Sequence, residues 1–495
     1  MRRVVESAVA AEDVGGDAIR VPGDSDLGSE VARNLTVLAA ARAAAAALQF
    51  AAFAIVASHL GPELLGVYTF AIAMVALFRL IPTFGFEQIV PRDIAQRPEL
   101  EASLVPNVLY VRVLLALLAY VALGMSLVAI GYEPRARDAA LLAGFALVLV
   151  AGETLRASLA IRLRLGWSAA ADLAEATVVL IGAVLLVSAG SGISSFIVLY
   201  VVAKAVNVAL VMIGGAWVAS YRWRPLPAMW WPAIRHAAPL AAAALVIALY
   251  YRLDMVVLAR LAPAEEVGQY GLALKFLDAA VLLTAVLMSV LQPVLARAVV
   301  EGRAVLQRRY GTSVHLTAVL ATLIAVAGAM TAWRIVPELP GLGAYEGAGV
   351  ALTLLAPAAG IILVATVVQG TLLAGRLERR VLWISLAGLA VNIALIAVLI
   401  PAYSYVGAAV ATSLTELALI VLSLRATRTL GVRWPREKLG RLTLAAVVLA
   451  AALALGYLVH PFLQLTLGVV AFAAALLVFR VLERSEIGVV LRRTT

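Results

Sequence analysis

Seven basic side chains fall inside otherwise apolar stretches of this sequence: Arg42, Arg79, Arg112, Arg156, Lys204, Arg252 and Lys275. A fixed cation in such surroundings is costly unless it faces a hydrated cavity or an opposite charge. A set of them at successive depths suits the handling of an anion. Arginine adds a permanent charge and a planar fork that two oxygens can accept from at once. Local pairing explains two of the seven: Arg156 lies three residues after Glu153 and Lys275 three before Asp278, the i,i+3 spacing of helical ion pairs. Arg42 and Arg112 begin about two turns, roughly 10 Å, from a span end. They are within reach of the headgroups by snorkelling, so an interface role and a role in the path both stay open. Arg79, Lys204 and Arg252 have no acid three or four residues away, and Asp254 is two from Arg252, on nearly the opposite side of a helix. These three are expected to line a path, with Arg42, Arg112 and Lys275 as further candidates along it.

Acids share the apolar stretches. Asp254 and Glu416, with Asp172 and Glu175 behind them, are placed where a carboxylate can exchange a proton or hold sodium. Glu416 is the first candidate for such coupling, and its alternative is a structural pair with Lys204 or Arg79. Other chemistries lack their residues. No G-x-x-x-x-G-K-[ST] phosphate loop is present, there is no cysteine, and the four histidines are scattered singly. No catalytic residue, metal site or cofactor is expected beyond a coupling H+ or Na+.

The elements that must position these charges are membrane helices. The 495 residues are 64% hydrophobic and 14% charged, with mean hydropathy +1.01, whereas a soluble domain is about 25% charged. One span needs roughly 20 apolar residues. The uncharged runs 381–415 and 442–479 therefore hold two spans each, divided at PAYSYVG (401–407) and VHPF (459–462). Read this way, the chain has about 14 spans, near 35–58, 65–86, 106–130, 139–159, 169–188, 193–216, 237–259, 269–296, 310–333, 347–374, 381–400, 405–424, 442–459 and 462–479. The expected fold is all-α and integral to the membrane. A tail (1–34) precedes a six-helix lobe (35–216), a linker (217–236) and a second six-helix lobe (237–424). A basic linker (425–441), two C-terminal helices (442–479) and a tail (480–495) follow.

A net charge of +10 could indicate nucleic acid, but most of the 39 Lys and Arg occupy alternate connections between spans, including the cluster from Arg425 to Arg441. That is the positive-inside pattern. It excludes nucleic acid as the natural partner and predicts a multi-pass protein of the cytoplasmic membrane with both termini cytoplasmic. The first 34 residues lack an apolar h-region and read as a loose tail rather than a signal peptide.

The chain also repeats itself. LGPELLGVYTFA (60–71) is echoed by LAPAEEVGQYGLA (261–273): Gly66, Tyr68 and Ala71 return 202 positions on as Gly268, Tyr270 and Ala273, and Pro91 returns as Pro293. The two connections are six spans apart, an even number, so the lobes are parallel repeats. Transporters of that kind place their path between the repeats.

These residues carry a resemblance. LGPELLGVYTFAIAMVALFRLIPTFGFEQIVPRDIA resembles the first hairpin of bacterial polysaccharide-unit flippases, of the multidrug/oligosaccharidyl-lipid/polysaccharide exporter superfamily. YRLDMVVLARLAPAEEVGQYGLALKFLD, with Asp254 and the later Pro293, is similar to that family's second-lobe entry. Residues 372–417, with Asn392, Ile400–Pro401, Gly407–Ala408–Ala409 and Glu416, are the most family-like stretch. The resemblance implies two six-helix lobes around a central cavity and, as activity, the flipping of an undecaprenyl-pyrophosphate-linked oligosaccharide by alternating access. It implies the lipid-linked oligosaccharide and membrane lipids as partners, together with the polymerase and chain-length proteins of a surface-polysaccharide pathway. Three alternatives remain: a non-transporting membrane scaffold, which would not need charges at mid-depth; an exporter of small cationic molecules from the same superfamily, whose cavity would be dominated by acids and aromatics; and a membrane glycosyltransferase or polymerase. The last needs a sizeable outer loop, whereas the longest here is about 13 residues, and 18 or more apolar residues separate most connections.

Overall fold

The computed structural model describes residues 24–434 and 436–481; residues 1–23 and 482–495, where most of the two expected tails lie, are outside the described part. Every regular element described is helical. Eleven helices are long and apolar enough to cross a membrane, or up to twelve with a bent pair in Pro227–Leu261 counted as one span. Two of them are hairpins. In Asp24–Phe78 the helix is interrupted at Gly61 (φ 71°). Arg42 and Arg79, on either side, line the same cavity, although a straight helix would part them by about 55 Å. The chain therefore folds back at Gly61 into α1 (24–60) and α2 (62–78). Glu378–Thr427 breaks at Ser404 (φ 50°). Asn392 Nδ2 donates to Thr415 Oγ1 across the arms, and Gly388 faces Leu419. Counting both arms of each hairpin raises twelve to fourteen, as the apolar runs predict.

By compactness the chain divides into two units, residues 1–59 with 70–252 and residues 60–69 with 253–495. The division falls inside Pro227–Leu261 rather than in the expected linker 217–236. The first part of that helix packs on the first unit, with Ala237 and Leu240 against Gly85.

In the first unit α2 is followed by a single turn, α3 (Leu80–Thr83), and then α4 (Phe86–Gln96), α5 (Glu101–Ile130) and α6 (Pro134–Leu149). A 3-10 stretch, Val150–Leu155, leads into α7 (Arg156–Ile161), and α8 (Leu165–Ser188), α9 (Ile193–Val218) and the start of α10 (Pro227–Leu261) complete the unit. The expected second span, 65–86, is thus not one helix. It stops at Phe78 and restarts after Phe84 and Gly85, both left-handed (φ 39° and 73°). Gly85 is required twice over, by its φ and by Leu240, whose Cβ would lie 2.9 Å from a side chain there. The fourth span likewise loosens into 3-10 geometry at Glu153 and Thr154.

A helix break inside hydrocarbon frees backbone polar groups that water cannot reach, and something must satisfy them. Arg112, on α5, does this for both breaks. Its Nε donates to the Pro82 carbonyl (3.0 Å) and its Nη1 to Thr154 Oγ1 (3.1 Å), and the side chain is 1% exposed. The snorkelling expected of Arg112 is therefore corrected: its depth puts it beside two broken helices whose carbonyl and hydroxyl bind it more firmly than headgroups would.

One end of this unit gathers the basic connections. Arg162 grips the buried carboxylate of Glu101 with two hydrogen bonds (2.5 and 2.7 Å), and this bonding raises the arginine's pKa above its ordinary value. Asn107 holds the 219–226 connection through the Arg224 carbonyl, the Leu226 amide and the Trp230 indole. At the opposite end His59 Nε2 meets the Ser191 carbonyl at 3.0 Å, joining the first hairpin turn to the α8–α9 turn.

The second unit comprises the rest of α10, α11 (Ala264–Glu301), α12 (Arg303–Glu338), α13 (Glu346–Ala374), the hairpin arms α14 (378–403) and α15 (405–427), α16 (Arg436–Leu455) and α17 (Pro461–Val478). Residues 60–69 also belong to it, and here the two copies of the repeated turn meet. A Cβ on Gly66 would strike the Ala264 carbonyl and approach the Gly268 nitrogen; a Cβ on Gly268 would strike the Pro62 carbonyl and approach the Gly66 nitrogen. Partners 62/264 and 66/268 differ by the same 202 positions, so the contact is a local two-fold, backbone against backbone. The turns are a packing surface, which is why glycine stands in both.

Two outcomes follow. Gly268→Ala should destabilise the protein by about 1–3 kcal/mol, the usual penalty of overpacking, seen as a lower unfolding temperature in detergent; an unchanged temperature would show that the contact yields freely. Arg112→Lys, which keeps charge but loses the fork, should cost about 3 kcal/mol or more and reduce folded protein in the membrane. Unaltered stability would remove Arg112 from the role given to it.

Candidate functional site

The two helix breaks open onto a cavity of about 350 Å³ in the first unit. Five cations line it, Arg42, Arg79, Arg112, Arg156 and Lys204, against three acids, Glu87, Glu153 and Asp172. Each comes from a different piece of the fold: Arg42 from α1, Arg79 from the end of α2, Glu87 from α4, Glu153 from the 3-10 stretch, Asp172 from α8 and Lys204 from α9.

The charges form a chain. Arg79 Nη2 lies 2.6 Å from Glu153 Oε2 and 3.8 Å from Glu87, and Arg112 Nη2 lies 3.5 Å from the same Glu87 oxygen. Lys204 Nζ is 2.8 Å from Glu175 and 3.9 Å from Glu153. Arg156 Nη2 donates to Asp172 and to Asn207 Oδ1, both at 2.8 Å, and Asn207 Nδ2 returns a bond to Asp172. Arg42 stands 4.0 Å from Asp172 with 57% of its side chain exposed. Glu153 is the centre, 5% exposed and shared between Arg79 and Lys204.

Two features keep this from being a closed set of ion pairs. The cations lining the cavity outnumber the acids. In addition, the buried Arg112 Nη2 is held only at 3.5 Å by Glu87, longer than a normal hydrogen bond. Arg79, 40% exposed, lines the open space while Glu153 holds its Nη2. The arrangement can bind an anion by adding acceptors to donors that are already oriented, with little reorganisation.

Of the six path candidates, Arg42, Arg79, Arg112 and Lys204 come together here. Arg252, on α10, and Lys275, on α11, do not line this cavity; Lys275 pairs with Asp278 at 3.5 Å, the i,i+3 pair read from the sequence. The partner assigned to Arg156 is corrected. Glu153 is turned toward Arg79 and Lys204, leaving Arg156 to reach α8. Within the first unit, the acids found at Arg79 and Lys204 are Glu153 and Glu175. Taken singly, Glu87 and Asn207 carry no signal in the sequence, and Glu153 is marked there only as the partner of Arg156. One signal for the α8–α9 pair was present: Asp172 and Glu175 are three apart, as are Lys204 and Asn207, at matched distances from the turn at Gly190, so antiparallel helices bring them together in two rungs.

The coupling candidates are in the second unit. Asp254 is 4% exposed, accepts from its neighbour's amide, Met255 N, at 2.7 Å, and takes a short hydrogen bond from Tyr270 OH. That tyrosine is the repeat residue equivalent to Tyr68, and its oxygen is 3.5 Å from Thr412 Oγ1. Glu416, 3% exposed, lies on α15 one turn beyond Thr412. No group of three or more metal-binding side chains occurs among the described residues.

A family model described as polysaccharide biosynthesis protein matches residues 31–299, more than half of the chain. No curated protein matches the sequence. Solved structures share the fold at low identity. The lipid II flippase MurJ in an inward closed conformation is 12% identical, with TM-score 0.77 over 90% of this chain and 99% of its own. A multidrug resistance MATE family transporter of the MOP superfamily, in an inward-facing conformation, is 13% identical, with TM-score 0.58 over 79% of this chain and 98% of its own. The Vibrio cholerae MATE transporter VcmN is 17% identical, with TM-score 0.55 over 82% and 98%. A membrane chain whose described regular elements are all helical, matched over residues 31–299 by that model, belongs to the polysaccharide biosynthesis protein family.

Proposed function

We propose that this protein flips a lipid-linked oligosaccharide, carried on an undecaprenyl-pyrophosphate-type lipid, across the cytoplasmic membrane during assembly of a surface polysaccharide. The observation that carries this reading is the cavity in which five cations face three acids within apolar helices. A diphosphate between a polyisoprenyl tail and a sugar must cross hydrocarbon without losing its counter-charges. Oriented guanidinium and ammonium groups around a hydrated space supply them, while the tail stays in lipid. In this role Arg79, Arg156 and Lys204 would exchange part of their bonding to Glu153, Asp172 and Glu175 for phosphate oxygens, with Arg42 the most exposed first contact. Arg112 would act chiefly through position. Arg252 and Lys275, at other places along the chain, are proposed to meet the anion in other conformations.

The same reading disfavours export of organic cations, since such a substrate would meet surplus positive charge at this cavity. It places both termini and the basic connections in the cytoplasm, with pathway polymerase and chain-length proteins as neighbours. The polysaccharide biosynthesis family and the flippase-like fold support transport rather than catalysis. Movement would be driven by alternating access coupled to a proton or sodium gradient, through the buried carboxylates Asp254 and Glu416.

Arg79→Ala and Lys204→Ala, each losing a partner of Glu153, should lower surface polysaccharide at least tenfold while protein remains in the membrane, on the scale of about 2–5 kcal/mol for truncating a buried charge pair. Arg79→Lys should recover only part, because the fork is lost. Wild-type polysaccharide in both alanine variants would overturn the phosphate role. For the coupling, Glu416→Gln or Asp254→Asn should make transport in vesicles insensitive to an imposed pH or sodium gradient; two variants as gradient-responsive as wild type would dispose of it.

A further inference from the structure

The connection that leaves α15 is built more carefully than a topology signal requires. After the 3-10 turn Arg428–Leu430 the chain takes a left-handed step at Gly431 (φ 74°). Side chains of α12 then hold its backbone. Arg303 Nε donates to the Gly431 carbonyl (3.3 Å), and Gln307 bonds residue 433 twice, Nε2 to its carbonyl (2.8 Å) and Oε1 from its amide (2.7 Å). Val432 is fully buried beneath. With the backbone so occupied, the side chains of Arg428, Arg433 and Trp434 are presented in fixed directions.

They surround a cavity of about 630 Å³ whose walls are mostly apolar. Arg428 and Arg433 are exposed and have no acid within ion-pair distance among the described residues. Trp434 Nε1 is buried and has no hydrogen-bond partner there. A buried donor left unmade is costly, so an acceptor belonging to no described residue is wanted. Leu424, one turn back along α15, and Leu439, in the first turn of α16, also line the space. Both are set into the helices while the arginines and the indole are in the connection between them. The cavity thus has a cationic, hydrogen-bonding rim and an apolar wall about one turn, roughly 5 Å, deeper.

We infer that this cavity is a specific site for an anionic glycerophospholipid. Its phosphate accepts from Arg433, Arg428 and the Trp434 indole, and one acyl chain lies against Leu424 and Leu439. Charge complementarity selects the occupant: two guanidinium groups with no acid among the described residues and an indole N–H with no acceptor there suit an anion with several acceptors, and the apolar wall would be wasted on a free phosphate. Such a lipid would tie α15 to α16 at the headgroup level, a site separate from the charged cavity of the first unit and independent of what that cavity transports.

The test is native mass spectrometry on the full-length protein in detergent, titrated with phosphatidylglycerol or phosphatidylcholine. Wild type should retain phosphatidylglycerol about thirtyfold more tightly than phosphatidylcholine. Arg428→Ala/Arg433→Ala should lose about that factor, given roughly 1 kcal/mol per basic residue at a membrane surface. Trp434→Phe, which keeps the packing and removes only the N–H, should weaken phosphatidylglycerol binding several-fold with an unchanged unfolding temperature. Equal retention of the two lipids by wild type would overturn the site, as would full affinity in both variants. Displacement of phosphatidylglycerol by millimolar inorganic phosphate at unchanged acyl contact would overturn the lipid assignment in favour of a free anion.

Discussion

A charge in hydrocarbon and a break in a helix in hydrocarbon pose the same problem, a polar group without water, and this protein sets each to solve the other. The second span breaks at Arg79–Gly85 and the fourth loosens at Val150–Leu155. Arg112 closes both with two hydrogen bonds from a side chain that is 1% exposed. Without the breaks there would be no place for a buried arginine; without the arginine the Pro82 carbonyl would be unsatisfied. The cavity exists because the backbone is irregular there, and irregular backbone at membrane depth is tolerated only where protein or a cavity takes up its polar groups.

The electrostatics of the cavity follow from that geometry. Glu153 sits on the loosened turn and reaches both Arg79 and Lys204, so one carboxylate fixes cations from two helices. Asp172 does the same for Arg156 and, at longer range, Arg42. The acids neutralise only part of the charge. They hold the cations in place, which lowers the cost of carrying charge inside the unit, and under the proposed function the surplus is what a ligand would meet. A cavity of the opposite sign on the same fold would serve a different substrate, so the sign and placement of a few side chains matter more here than the helical frame.

The repeated turn has another kind of role. Gly66 and Gly268 allow two backbones to touch, with the Pro62 and Ala264 carbonyls where side chains would otherwise be. Close backbone approach through glycine supplies dispersion and weak C–H···O contacts where lipid gives no hydrophobic drive to helix association. Tyr270, two residues on from Gly268, gives its hydroxyl to Asp254, so a residue of the packing motif is also part of a buried polar site.

By itself the sequence determined the helical class and roughly where the spans lie, because the bilayer demands about 20 apolar residues at a time and the uncharged runs leave little freedom. It also determined the repeat and which connections carry the basic residues. The tertiary structure decided what each interior charge meets. Arg156 was assigned to Glu153 by spacing, but the 3-10 stretch turns Glu153 to Arg79 and Lys204, and Arg156 reaches Asp172 instead. Arg112 had the depth to snorkel and is instead spent on a carbonyl and a hydroxyl thirty and forty-two residues away. Spacing along a chain predicts neighbours only while the helix is regular, and the charges in this protein are concentrated where it is not.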